Sequence, residues 1–140
     1  MSSEFERMVE ERRLTRFKAD RSLVLKEMRE AEADLVEARD SLERSKFKWA
    51  TIQGYYSMFH AVRALVYSRG FREKSHYALL VALRNLLIME LGTELIEGFG
   101  DAMSLREEAD YGLTSSKAGA IETIETAEAF LKRAKEILKI

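Results

Sequence analysis

Apolar residues recur along this chain at alternating spacings of four and three, the period of an amphipathic helix. In residues 19–47 the stripe is Val24, Met28, Ala31, Leu35, Ala38 and Leu42, with charged side chains on the remaining faces. Residues 48–68 carry a second stripe of Ile52, Tyr55, Phe59, Val62 and Val66. One position further round lie Tyr56, His60, Arg63 and Tyr67, which form an adjoining polar and aromatic face. Residues 69–74 read as a short basic turn. A third helix is expected from a capping Ser75 to about Leu91, carrying Leu79, Leu83, Leu86 and Leu87. A fourth, over 93–109, presents Leu95, Phe99, Ala102 and Met103, and Gly98 and Gly100 weaken its middle. After a turn at Gly112, Thr114 or Ser115 caps a last helix over 116–139, with Ala120, Ile124, Ala127, Leu131, Ala134 and Leu138.

No segment alternates with period two, so no sheet is expected. The fold class that follows is all-α, a four- to five-helix antiparallel up-down bundle over residues 19–140. Residues 1–18 read as an N-terminal extension or as the start of the first helix. The chain has no proline to interrupt its helices. The alanine-rich stripes let helices approach closely but fill little volume, which leads to the expectation of a homodimer that buries further apolar surface.

Composition narrows the function classes. The 140 residues carry a formal net charge of −1, so phosphate contact would need a local basic patch rather than a basic surface. With no cysteine there are no disulfides or thiolate sites, and the chain reads as cytoplasmic, with no apolar run of membrane-spanning length. Nucleotide-binding glycine motifs are absent. Glu73 and His76 make one Glu-x-x-His pair, but no second copy accompanies it, so neither a metal nor a cofactor is expected.

The chemistry-bearing residues concentrate between Tyr55 and His76, a stretch that holds both histidines of the chain. His60, beside the core stripe, reads as a half-buried histidine bonded to a neighbour. His76 follows a capping serine at a helix N-terminus, where partial positive charge favours the neutral imidazole. Arg63, Arg69, Arg72 and Lys74 lie nearby in sequence, so a phosphate could be held there and a hydroxyl proton moved by His76. A solvated basic loop would carry the same residues. Arg106, Asp110 and Tyr111 form a later polar cluster that also reads as an ordinary helix end closed by Gly112.

The order YYSMFHAVRALVYSRG, then KSHYALL, then LREEADYG resembles the HEPN family, and more narrowly its small stand-alone archaeal and bacterial members. The resemblance spans about residues 20–138. It implies a dimerising helical bundle, often partnered by a minimal nucleotidyltransferase in a toxin–antitoxin pair. Active members are metal-independent endoribonucleases with an Arg–polar–His motif, assembled from two protomers. Carried over, the resemblance assigns Arg69 as phosphate clamp and His76 as general acid or base. Arg72 and Lys74 would steer RNA. Gly70, after Arg69, departs from the polar residue of that motif. A second reading stays open, in which the Tyr56–His60–Arg63 face binds a nucleotide or a partner without catalysis.

Overall fold

The computed structural model describes residues 2–112 and 115–140. Its helices are α1 (Ser3–Glu10), α2 (Arg21–Glu43), α3 (Phe47–Ser68), α4 (His76–Leu86), α5 (Ile88–Leu91), α6 (Thr93–Asp110) and α7 (Lys117–Leu138), with strands β1 (Leu14–Arg16) and β2 (Phe71–Glu73). The all-α expectation holds, with the five expected helices at α2, α3, α4, α6 and α7. The helix count is higher, because α1 and α5 are separate short helices among the described residues. None of the helices is long and apolar enough to cross a membrane, among the described residues.

Helix α3 is the axis of the molecule and packs against α2, α7, α6 and α4. Its sequence explains the role: Tyr55, Met58, Ala61, Val62, Ala64, Leu65 and Val66 are all fully buried, on more than one face. Small residues let neighbours approach. The Ser57 hydroxyl donates to the Ala31 carbonyl of α2 at 2.7 Å, so the hydroxyl is satisfied inside the packed seam. Helix α6 runs unbroken through Gly98. A Cβ there would lie 2.7 Å from the Thr126 methyl of α7, so the glycine serves close helix contact rather than a bend.

Residues 2–18, read as an extension or as the start of the first helix, form α1 and β1 and do not extend α2. Phe5, Met8 and Leu14 are buried, and the apolar positions of α1 fold back onto the bundle. The basic turn is a strand: β2 pairs antiparallel with β1, with Leu14 opposite Glu73, Thr15 opposite Arg72 and Arg16 opposite Phe71. Three residues are too few for period-two patterning to stand out from a turn. Gly70 makes the reversal from α3 into β2 at φ +87°, a left-handed conformation that side chains disfavour.

The caps follow local chemistry. Asp20 accepts from the Leu23 amide at the start of α2, and Ser75 accepts from the Ala78 amide at the start of α4. The cap of α7 is Ser116, one residue beyond the expected positions. Its hydroxyl accepts from the Gly119 amide at 2.9 Å. Thr114, the other expected cap, lies outside the described residues.

Candidate phosphate-binding site

Ser75 sets the first turn of α4 and so brings His76 over the middle of α3. There the imidazole lies 4.6 Å, centroid to centroid, from the Phe59 ring, and it stacks on Tyr55 and meets the edge of Tyr56. Tyr55 belongs to the buried stripe as expected, yet its hydroxyl reaches His76 Nδ1 at 2.6 Å. From α6, Arg106 places Nη2 3.1 Å from the same nitrogen. The Arg106 guanidinium also lies 5.1 Å over the Tyr55 ring and 5.7 Å over the Tyr56 ring.

Arginine can only donate, so His76 Nδ1 must be the acceptor and the ring proton sits on Nε2. Burial, with the positive charges of Arg106 and Arg63, holds the His76 pKa below the ordinary imidazole value, against an opposing pull from Glu107. The neutral form was expected from the helix N-terminus. The main causes instead are burial and an arginine on another helix. Burial also raises the Tyr55 pKa, so the phenol stays protonated and can donate.

Arg106 is held but not saturated. Nη1 donates to Asp110 at 2.8 Å, one helical turn on, while Nε is buried without a hydrogen-bond partner among the described residues. Its remaining N–H groups are the kind that a phosphate oxygen would use.

The second histidine has other surroundings. His60 Nδ1 lies 2.7 Å from Glu27 Oε2, and Nε2 lies 3.5 Å from Asp34 Oδ2, both on α2. Arg63 pairs with Glu27 at 3.3 Å and with Glu73 of β2 at 3.2 Å, and it donates to the Tyr67 hydroxyl. Glu27 and Glu73 are about nine-tenths buried. Burial raises the pKa of Glu73, with its own backbone hydrogen bond and Arg63 opposing.

The remaining expected residues are dispersed. Arg69 donates to the Leu86 carbonyl at 2.9 Å and pairs with Glu90 at 3.1 Å. Leu86 ends α4 and His76 begins it, so the two ends are about 15 Å apart at 1.5 Å per residue. The structure does not bring Arg69 and His76 together, because β2 runs back between them. Arg72 is exposed over the Phe17 ring, and Lys74 is exposed with its amide bonded to the Arg13 carbonyl. Tyr56 does border His76, and Arg63 influences it only through its charge.

Sequence reasoning passed over Arg106 and the Tyr55 hydroxyl as site groups. The signal was the cluster Arg106-Glu-Glu-Ala-Asp-Tyr, whose polar spacing is matched equally by a helix end. Among the described residues no group of three or more ligating side chains is arranged to hold a metal ion. A broad groove lies elsewhere, between α2 and α7, and is about 1010 Å³ in volume.

The HEPN domain family matches residues 24–140. This chain belongs to the HEPN family. The HEPN chain is 33% identical over 118 residues to a protein of Archaeoglobus fulgidus named "UPF0332 protein", covering 77% of this chain and 89% of that one. It is 32% identical over 108 residues to a Methanocaldococcus jannaschii protein named "Putative toxin MJ0142", covering 74% of each. Its fold is shared with the crystal structure of TT1696 from Thermus thermophilus, at a TM-score of 0.70 and 19% identity. That match covers 81% of this chain and 96% of the other.

Proposed function

We propose that this HEPN domain is a toxin-like protein that binds RNA by holding a phosphodiester between Arg106 and His76. The observation that carries the reading is the contact of Arg106 Nη2 with His76 Nδ1 at 3.1 Å. That contact fixes the imidazole tautomer, so Nε2–H is a donor beside a guanidinium with N–H groups to spare. Tyr56, at the rim, offers a ring face for a base. The toxin-like part is supported by the name of the Methanocaldococcus jannaschii relative. A homodimer and a minimal nucleotidyltransferase partner belong to the same proposal, on the strength of the family resemblance.

Binding comes before cleavage in this reading for a reason of geometry. In metal-independent cleavage the 2′ oxygen attacks phosphorus and loses its proton, while the bond from phosphorus to the 5′ oxygen breaks and that oxygen gains one. Neutral His76 can hydrogen-bond a phosphate oxygen through Nε2–H but cannot give that proton up, since doing so would leave an imidazolate. Its acceptor nitrogen is taken by Tyr55 and Arg106, so the proton from the 2′ hydroxyl must go to another group.

The test is fluorescence anisotropy of a labelled single-stranded oligoribonucleotide in chelator-containing buffer, at two salt concentrations. Arg106→Ala should weaken binding about tenfold or more and flatten the salt dependence. Equal affinity of wild type and variant would overturn the assignment. Cyclic 2′,3′-phosphate ends in the same samples, lost in His76→Ala, would add cleavage to binding.

A further inference from the structure

The family match begins at Val24, after α1 and β1, yet that preceding segment is tied to the elements that deliver His76. We propose that the α1–β1 segment is a positioning strap, which fixes β2 and the first turn of α4 so that His76 stays seated against Tyr55 and Arg106. The inference deepens the phosphate-site reading, but its test needs no RNA.

Three sets of contacts carry it. The first is the ribbon. The Phe17 amide donates to the Gly70 carbonyl at 2.9 Å and the Lys74 amide to the Arg13 carbonyl at 2.9 Å. In an antiparallel ladder hydrogen-bonded pairs alternate, so Thr15 with Arg72 is the bonded pair between these two. The ladder therefore closes on Lys74, and only Ser75, the cap of α4, separates Lys74 from His76. The second is apolar: the buried Phe5 ring of α1 meets Phe71 of β2 edge-on at 5.4 Å. The third ties α1 directly to α4, through Tyr77 Oη donating to Glu4 at 2.6 Å and the Ser2 amide donating to Asn85 Oδ1 at 3.0 Å.

Without the strap, β2 would be a lone three-residue segment, which cannot hold a strand conformation by itself. The His76 imidazole depends on ångström-scale placement, since its partners sit on α3 and α6 and none sits on α4. Loosening β2 therefore loosens the site without touching any group that would meet a ligand. His60 is coupled to the same ribbon, because Glu27 links it through Arg63 to Glu73 of β2, so the control is a buried change in α7 instead.

The experiment is NMR of the two imidazoles in the full chain, reading ring ¹⁵N shifts and titration, with amide exchange of Phe71–Lys74 alongside. Thr15→Pro removes a ladder donor. It should speed exchange at β2, mix the His76 tautomers and raise the His76 midpoint by about half a pH unit or more, as burial and the Arg106 contact are lost. The titratable and charged groups facing that ring are Tyr55, Tyr56 and Arg63 from α3 and Arg106 and Glu107 from α6. Leu131→Ala, a buried change in α7, should lower stability and leave His76 unchanged. Fast β2 exchange with an unaltered His76 would overturn the proposal, as would a His76 shift in Leu131→Ala of the same size. If Thr15→Pro does not fold, Phe5→Leu decides. It should give a smaller His76 shift in the same direction, and no shift would overturn the strap. An RNA-binding failure with a His76 shift in Thr15→Pro would discard the ligand and keep the strap.

Discussion

His60 and His76 sit on neighbouring elements of one core, and their surroundings are opposite in charge. Both ring nitrogens of His60 face carboxylates of α2, within a network that continues through Arg63 to Glu73. His76 faces a phenol and a guanidinium through one nitrogen. The first histidine is consumed by internal partners, and the second keeps a donor to spend. Sequence position separates them poorly, since both lie beside aromatic residues and basic ones. What separates them is which helix crosses above. Helix α2 brings Glu27 and Asp34, whereas α6 brings Arg106.

The largest effect that would break this contrast is on stability. Arg63 bridges two carboxylates that are about nine-tenths buried, so its removal strands both. Arg63→Met should destabilise the fold by about 3 kcal/mol, because breaking a buried pair leaves an uncompensated charge. Urea unfolding at neutral pH measures it. A loss below about 1 kcal/mol would mean that the network around His60 is no structural node, as for an exposed pair. The Arg106 side, by contrast, should show its main effect in RNA affinity.

That contrast also explains what could be read from the sequence. The stripes were legible because helix period reports burial directly. Val24, Met28, Ala31, Leu35 and Ala38 of α2 are all buried as their spacing implied. Ser75 was legible as a cap for a similar reason, since capping is a local interaction. The partners of His76 were not, because Tyr55 and Arg106 are brought to it by tertiary packing across 21 and 30 residues. Arg69 was favoured because the family resemblance calls for an arginine at its spacing before His76. The ribbon carries its side chain to the far end of α4, and three-residue strands have no pattern that distinguishes them from a basic turn.

A smaller effect concerns pH and sharpens the role of His76. Its folded pKa is depressed by burial, by Arg106 and by Arg63. Between the folded value and the ordinary value near 6.5, the unfolded chain binds more protons than the folded one, so stability rises with pH there. The associated stability is present above the unfolded pKa and is lost as pH falls through the folded pKa. Glu73 runs the other way. Its folded pKa is raised by burial, so its contribution is present below the unfolded value and is lost as pH rises through the folded one. Melting temperatures from pH 7.5 downward should therefore fall less in His76→Gln than in wild type as the imidazole window is crossed. Parallel curves would show that His76 carries no depressed pKa.

The smallest expected effect belongs to Arg69, and its smallness is informative. Its guanidinium is spent on the Leu86 carbonyl and on Glu90, a pair about one-third exposed on each side. Exposed pairs of this kind contribute about 0–1 kcal/mol. Arg69→Ala should lower stability by no more than about 1 kcal/mol, since the backbone carbonyl it caps can turn to water. It should leave RNA affinity within about twofold of wild type, a change well below the 1.4 kcal/mol that a tenfold loss represents. The same anisotropy titration used for Arg106→Ala measures it. A tenfold loss from Arg69→Ala would place the phosphate at the β2 end of α3 and dissolve the contrast between the two histidines. An unchanged affinity beside a weakened Arg106→Ala assigns the clamp to α6, because both variants remove one positive charge and differ in where that charge stands.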